Sequence, residues 1–96
     1  MKNYINSLEN ISNLNRTNLA QNTRLDIMGE LEAIIQYQNH ISSSNDAVVN
    51  QTLTDIMEEE MVHVGQLMGL LFYLDPEQQT QFEKGLNEFY ADQQKK

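Results

Sequence analysis

The stretch Val49–Leu74, VNQTLTDIMEEEMVHVGQLMGLLFYL, decides the fold. Alternating steps of four and three residues along it trace the a/d pattern of a helix that packs against partner helices. Six of these eight positions are apolar, and the other two are Glu60 and His63. Residues three apart project from the same face of a helix, so a carboxylate and an imidazole point together into the seam. Because buried charges are seldom left unpaired, a metal ion is the expected partner.

Similar patterns on either side predict an all-α fold. A first helix is predicted from about Thr23 to Ser42, with a wide apolar face that includes Met28, Leu31 and Ile35. The polar run 42–46 ends this helix and caps a second helix at 46–74. Asp75-Pro76, with Gln78 placed for a capping box, begins a short third helix that reaches about Ala91. We therefore predict an antiparallel two-helix hairpin with a short C-terminal helix.

The chain divides into three predicted segments. Residues 1–22 are rich in asparagine, a weak helix former, and are expected to be helical only where they pack against something. Residues 23–92 form the helical hairpin and its C-terminal helix. Residues 93–96 form a frayed tail.

Composition restricts the kinds of function. The 96 residues make one small domain with a marginal core. Without cysteine, a metal site would rest on carboxylates and imidazoles, which suit iron, manganese and zinc. A net charge of −8 argues against nucleic acid as a partner. Since neither a membrane span nor a signal peptide is recognisable, we expect a cytoplasmic protein with no membrane partner.

Charge is distributed unevenly along the chain. No Lys or Arg occurs between Arg24 and Lys84, although this stretch carries many acids. Most of these acids are expected to form a solvated face. An alternative is an acidic surface that concentrates cations near a metal site.

Glu30 also replaces an apolar residue in the pattern of its helix. It lies 14 residues before Ser44, and Glu60 and His63 lie 16 and 19 residues after it. In an antiparallel hairpin all three side chains therefore come to about the same depth. A di-iron site in a four-helix bundle uses a Glu from each of two helices and Glu-x-x-His from each of the other two. This chain supplies half of that set, and a two-fold homodimer would complete the bundle and hold two metal ions.

These motifs resemble those of the encapsulated ferritins. The segment 30–33, Glu-Leu-Glu-Ala, followed by Tyr37, is similar to the first-helix motif of that family. The acidic segment 58–63, which ends in Glu-x-x-His, is similar to its second-helix motif. Asp75-Pro76 and the short helix after it also match, so the resemblance covers about residues 24–92.

The resemblance implies a function and an assembly. Members oxidise Fe(II) with oxygen at a ferroxidase centre that forms only between two subunits. Their dimers join into a ring-shaped decamer without an internal cavity, and an encapsulin shell stores the mineral. Carried over to this chain, the iron ligands are Glu30, Glu60 and His63, with two iron ions per dimer. Tyr37 lies near the metals, and Glu32 matches a position associated with metal entry.

The chain departs from the family pattern in three places. Gly29 stands where an acid often precedes the first ligand, and Gln36 stands where an aromatic residue often precedes the tyrosine. The shell-targeting peptide of the family is not recognisable after Ala91. We expect either a shortened chain or a member that is not loaded into a shell.

Two other interpretations remain open. The Glu/His group could be a structural network that sets the register of a non-catalytic helical oligomer, or it could bind manganese or zinc without turnover. His40 is expected at the surface, and Met57, Met61 and Met68 are expected to fill gaps in the core. Gly65 and Gly69 are expected to allow close helix approach, since glycine costs about 1 kcal/mol against alanine in a helix.

Overall fold

The computed structural model describes residues 13–95 and contains, in that range, three α-helices. Helix α1 spans Asn13–Ser42, α2 spans Ala47–Leu74 and α3 spans Pro76–Gln94. Helices α1 and α2 pack as an antiparallel hairpin, and α3 packs against the end of α2. The predicted all-α hairpin with a third helix is confirmed. None of the helices in this range is long and apolar enough to cross a membrane.

Helix α1 begins ten residues earlier than the predicted start at Thr23. The asparagine-rich residues 13–22 are helical because they pack: Ala20 is buried with Leu71 and Leu74 of α2. Tertiary packing here overrides the weak helix propensity of asparagine. Residues 1–12, which belong to the predicted N-terminal segment, lie outside the described residues.

The turn between α1 and α2 is held by local hydrogen bonds. The amides of Ser43 and Ser44 donate to the last carbonyls of α1, those of His40 and Ile41. The Asp46 carboxylate accepts from the amides of Val48 and Val49 and so caps α2. The polar run that ends one helix therefore starts the next, as predicted.

Asp75 links all three helices. It caps α3 by accepting from the Gln78 amide at 3.3 Å, with Pro76 in the first position of the helix. It also accepts from Arg24 of α1 at 2.6 Å. The Arg24 hydrogen bond is the main reason that the pKa of Asp75 lies below its ordinary value.

The predicted capping box at this junction is incomplete. Its second half would be a hydrogen bond from the Asp75 amide to the Gln78 side chain. Instead, the Asp75 amide donates to the Leu71 carbonyl at 2.7 Å, and the Gln78 side chain accepts from Arg24 at 3.1 Å. Gln78 therefore joins the Arg24–Asp75 pair. Helix α3 continues to Gln94, past the predicted end near Ala91 and into the predicted tail.

The core is small and lies at the end of the hairpin farthest from its turn. Its buried members are Ala20, Ile27, Leu71 and Leu74, with Leu67, Met68 and Tyr73 packed against them. The radius of gyration is 17.8 Å, against about 12 Å for a compact domain of this length. The chain is therefore elongated, and many of its large apolar side chains are exposed.

Several predicted core positions are exposed in the single chain. Met28, Leu31 and Ile35, the second apolar line of α1, are each about half exposed, and so is Met61. Met57 is buried, as predicted, and Met68 is half-buried. The wide buried face predicted for α1 is thus only partly covered by α2.

Gly65 and Gly69, predicted to allow close helix approach, have no such neighbour within the single chain, so approach by another chain stays a prediction. Among the described residues, no atom outside their own helix backbone lies within 4 Å of a β-carbon built at either position. Both glycines face open space on α2, so contact between α1 and α2 does not require them.

Candidate metal centre

Glu30, Glu60 and His63 meet on one side of the hairpin. Glu30 comes from the middle of α1, and the other two come from adjacent turns of α2. One ligand atom from each residue lies within 4.8 Å of the other two. The structure therefore brings together the three residues that were predicted, from their distances to the turn, to lie at the same depth of the hairpin.

The distances between these atoms suit a shared ion better than direct hydrogen bonds. His63 Nδ1 lies 3.6 Å from Glu30 Oε1 and 3.6 Å from Glu60 Oε2. Hydrogen bonds from nitrogen to oxygen span about 2.7–3.2 Å. Two ligand atoms about 2.1 Å from one metal ion, at tetrahedral to trigonal angles, lie about 3.5 Å apart. The gap thus has the dimensions of a metal coordination sphere.

Glu30 carries the clearest sign of a missing partner. Its Oε2 atom is buried and has no hydrogen-bond partner within the described part of the chain. The side chains of Glu30 and Glu60 are 23% and 19% exposed, whereas that of His63 is 46% exposed. An unsatisfied buried carboxylate oxygen is costly, and a cation would satisfy it. The donor set of two carboxylates and one imidazole fits iron, manganese or zinc.

An open depression of about 520 Å³ adjoins the cluster. Glu30 and Glu60 form part of its wall, and the remaining wall is Leu25, Asp26, Gly29, Ala33 and Leu67. Gly29 and Ala33 have little or no side chain on this part of α1. The space beside Gly29 is open, since a β-carbon built there would meet no atom within 4 Å in the described chain. The cluster therefore opens onto a surface that another helix could approach closely.

The other predicted site residues lie apart from this cluster. Tyr37 is half-buried on α1, seven residues beyond Glu30, or about 10 Å along the helix axis. Glu32 is exposed, and two residues of helix place it about 160° around α1 from Glu30. His40 is exposed in the last turn of α1, where a surface position was predicted. Roles for Tyr37 and Glu32 stay predictions.

Sequence reasoning missed one feature beside the cluster and one ion pair at the far end of the hairpin. Asp26 precedes Glu30 by one helical turn and lines the same depression, a spacing that could have identified it. Arg24 binds both Asp75 and Gln78. Arg24 is the last basic residue before a long stretch without Lys or Arg. This isolation could have indicated that Arg24 forms an important ion pair.

Comparisons with known proteins find similar chains. No family model matches the sequence. A ferritin-like-encapsulin shell fusion protein from Pyrococcus furiosus is 45% identical over 65 residues, which are 68% of this chain and 19% of that protein. The encapsulin nanocompartment cargo protein EncC from Myxococcus xanthus is 33% identical over 73 residues, which are 76% of this chain and 56% of that protein. The chain thus spans less than two thirds of the length of either relative.

A solved structure is also similar. The crystal structure of the encapsulated ferritin domain from Pyrococcus furiosus superposes with a TM-score of 0.74 at 41% sequence identity. The match covers 76% of this chain and 74% of that domain. This chain and that domain are therefore similar in sequence as well as in helical architecture.

Proposed function

The chain belongs to the encapsulated ferritins, and from this membership we propose that it is a ferroxidase that oxidises Fe(II) to Fe(III) with oxygen. The observation that carries the proposal is the cluster of Glu30, Glu60 and His63, whose ligand atoms lie within 4.8 Å of one another. The three side chains are half of the donor set of a di-iron bundle site. The substrate would be two Fe(II) ions held between two copies of the chain.

The surface onto which the cluster opens supports the proposal of a dimer. A two-fold axis through the depression beside Glu30 would bring a second α1 and α2 against the first pair and complete a four-helix bundle. Glu30, Glu60 and His63 of each chain would hold the two iron ions, with His63 as the nitrogen ligand and Glu30 as either a terminal or a bridging carboxylate. Tyr37 would lie near the metals, and Glu32 would act in metal entry. The chain would hold the two ions close together while oxygen takes one electron from each.

The names of the relatives support an association with encapsulin. One relative is a fusion of a ferritin-like part with an encapsulin shell, and another is an encapsulin cargo protein. We infer that this chain serves iron storage and detoxification with an encapsulin shell, inside a nanocompartment in the cytoplasm. Assembly of its dimers into a ring-shaped decamer belongs to the same proposal.

Aerobic iron addition, followed by absorbance, tests the proposal. Size-exclusion chromatography with and without Fe(II) would report assembly of the same samples. Glu60→Ala and His63→Ala should abolish rapid oxidation and iron-linked assembly. Glu59→Ala and His40→Ala are the matched controls, because both residues are exposed and lie outside the cluster. The controls should oxidise iron as fast as the parent.

The outcomes also separate the two alternative functions. If His63→Ala assembles normally and oxidises iron as fast as the parent, the Glu/His group is a structural network. If metal binds in pairs per dimer while oxygen consumption stays at background, the chain is a metal-binding protein without turnover. Manganese and zinc are then the ions to compare.

A further inference from the structure

Asp26 lies in the wall of the depression beside the metal cluster, and the proposed ferroxidase chemistry gives it no role. It precedes Glu30 by four residues of α1, so the two carboxylates project about 6 Å apart along the helix axis and about 40° apart around it. The Asp26 residue is exposed. In residues 13–95, the group of ligand atoms that lie within 4.8 Å of one another does not include it. Asp26 therefore faces the same space as the ligands without belonging to them.

No basic group of its own chain compensates Asp26 in the described part of the chain. The wall of the depression contains three carboxylates, those of Asp26, Glu30 and Glu60, and no Lys or Arg. Asp26 takes part in none of the ion pairs found in residues 13–95. Arg24, two residues away, donates instead to Asp75 at 2.6 Å. Because like charges four residues apart destabilise a helix, the spacing of Asp26 and Glu30 opposes the fold.

A second copy would not supply a base to Asp26 either. In the proposed dimer the two-fold axis passes through the depression, so the Asp26 residues of both copies lie in the contact. With the axis at the level of Glu30, the second α1 runs in the opposite direction, and its Arg24 lies about 15 Å from Asp26 along the helix axis. No Lys or Arg occurs between Arg24 and Lys84. A cation at the metal centre is the remaining source of positive charge.

The net charge that faces Asp26 therefore depends on what the centre holds. Each chain brings the carboxylates of Glu30 and Glu60 to the depression beside its Asp26, and a metal-binding His63 is neutral. Without metal, closing the contact would bring the four Glu carboxylates of the dimer together with two Asp26 carboxylates, and all of these groups repel. Two Fe(II) ions would neutralise the four Glu charges and remove most of that repulsion.

We propose that Asp26 makes dimer formation depend on iron, because its charge opposes contact over an empty centre and ceases to do so once Fe(II) is bound. The inference rests on the proposed dimeric metal centre and adds a residue that regulates its assembly. Without Asp26 the two chains would associate more readily in the absence of metal. Asp26 is therefore a positioning residue for assembly and not a ligand of the iron.

The charge-removing variant Asp26→Asn in the full-length chain tests the proposal. The dissociation constant of the dimer is measured by sedimentation velocity in metal-free protein and again under anaerobic conditions with saturating Fe(II). At low ionic strength the metal-free constant should fall by about tenfold relative to the parent, since several like charges are removed from one contact. With Fe(II) the two proteins should differ by less than about twofold. If the metal-free parent stays monomeric at the highest concentration used, dimers of Asp26→Asn at that concentration are the expected result.

Two matched variants and salt separate charge from packing. Asp26→Glu keeps the charge and should behave like the parent. Glu59→Gln removes an exposed charge at the depth of the cluster, about 100° around α2 from Glu60, and should leave both constants unchanged. At 1 M salt the Debye length is about 3 Å, so the difference between the parent and Asp26→Asn should disappear. A difference that persists there would mean that packing is the cause and would overturn the proposal.

A metal-free dimer of Asp26→Asn that is no tighter than that of the parent also overturns the proposal. If this happens while the parent dimerises with Fe(II) and oxidises it, only the role of Asp26 is wrong. If Asp26→Asn shifts assembly as expected and the parent does not oxidise iron, only the ferroxidase proposal is wrong. If the parent does not dimerise with Fe(II) at any concentration, both are wrong.

Discussion

Glu30 shows how one residue can oppose folding while it serves a site. Its Oε2 atom is buried without a hydrogen-bond partner in the described chain, and Glu60 lies close enough to share an ion with it. Burying an unsatisfied polar group costs about 1–3 kcal/mol, and a nearby like charge adds to the cost. A residue that weakens the metal-free fold in this way is typical of a functional site.

Glu30→Gln should therefore change stability and metal binding in opposite directions. It keeps the shape of the side chain and removes the negative charge. In metal-free protein we expect a gain of about 1 kcal/mol, or roughly 4–8 °C in melting temperature. Affinity for Fe(II) should fall by at least about tenfold, since even residues that only orient a ligand are worth 10–100-fold. Calorimetry and anaerobic Fe(II) titration measure the two effects.

Glu59→Gln is the matched control for this change. It removes one charge from an exposed position beside the cluster and should leave affinity and melting temperature nearly unchanged. If Glu30→Gln lowers the melting temperature of metal-free protein, the carboxylate is satisfied by the fold and the argument for an ion is weakened.

Asp75 should make stability depend on pH at the acid end. Its pKa is lowered in the folded chain, chiefly by the hydrogen bond from Arg24. The stabilisation is therefore complete above the unfolded pKa, near the ordinary value of 3.8, and is lost as the pH falls through the lowered folded value. Asp75→Ala should cost about 1 kcal/mol at neutral pH through the lost cap.

Thermal unfolding of parent and Asp75→Ala between pH 2 and pH 7 measures this dependence. The difference between the two proteins should be constant above about pH 5 and should shrink below pH 4. Asp92→Ala, an exposed acid near the end of α3, serves as the control. A difference that grows towards low pH would contradict the ion pair.

At the scale of elements, the sequence predicts best where the determinants are local. Asp46, Asp75 and Pro76 act on amides within a few residues, so the limits of α2 and the start of α3 could be predicted. The start of α1 could not be predicted in this way. Residues 13–22 are helical because Ala20 packs against residues about fifty positions away in the sequence. The meeting of Glu30 with His63 could be predicted because an antiparallel hairpin converts sequence distance into depth.

Burial along α1 was the harder prediction. An apolar line such as Met28, Leu31 and Ile35 indicates that a face will be covered, but the pattern does not identify the covering molecule. Half-exposed side chains along this line mean that one chain leaves the face open. Gly65 and Gly69 present the same difficulty, because the predicted close helix approach has no partner within the hairpin, where their surroundings are open.

Gly65→Ala should test whether a second chain approaches α2 closely. In a single chain the change should stabilise the helix by about 1 kcal/mol. Gly85→Ala in α3 is the matched control, since a β-carbon there also meets nothing within 4 Å in the described chain. If Gly65→Ala raises the melting temperature as much as Gly85→Ala and leaves assembly unchanged, the surface is open. If it weakens the oligomer instead, this glycine lies in a contact between copies.

At the scale of the whole molecule, the chain has the surfaces of a part that functions in an assembly. Its main core cluster lies at one end of the hairpin, and its metal cluster opens onto a depression of about 520 Å³. The acidic hairpin, without Lys or Arg from residue 25 to residue 83, would repel a second copy. Iron bound between two such surfaces would neutralise that repulsion, so metal binding and dimer formation should be coupled.

This coupling gives a prediction about protein concentration. If the site is shared, the rate of iron oxidation per chain should fall on dilution in proportion to the fraction of dimer, since one chain supplies only Glu30, Glu60 and His63. Initial rates over a range from micromolar to nanomolar protein, with dimer fraction measured by mass photometry or sedimentation, test this relation. Higher Fe(II) should shift the midpoint to lower protein concentration, because ligand that binds the dimer stabilises it. A rate per chain that stays constant where monomer predominates would mean that a single hairpin is sufficient for the chemistry.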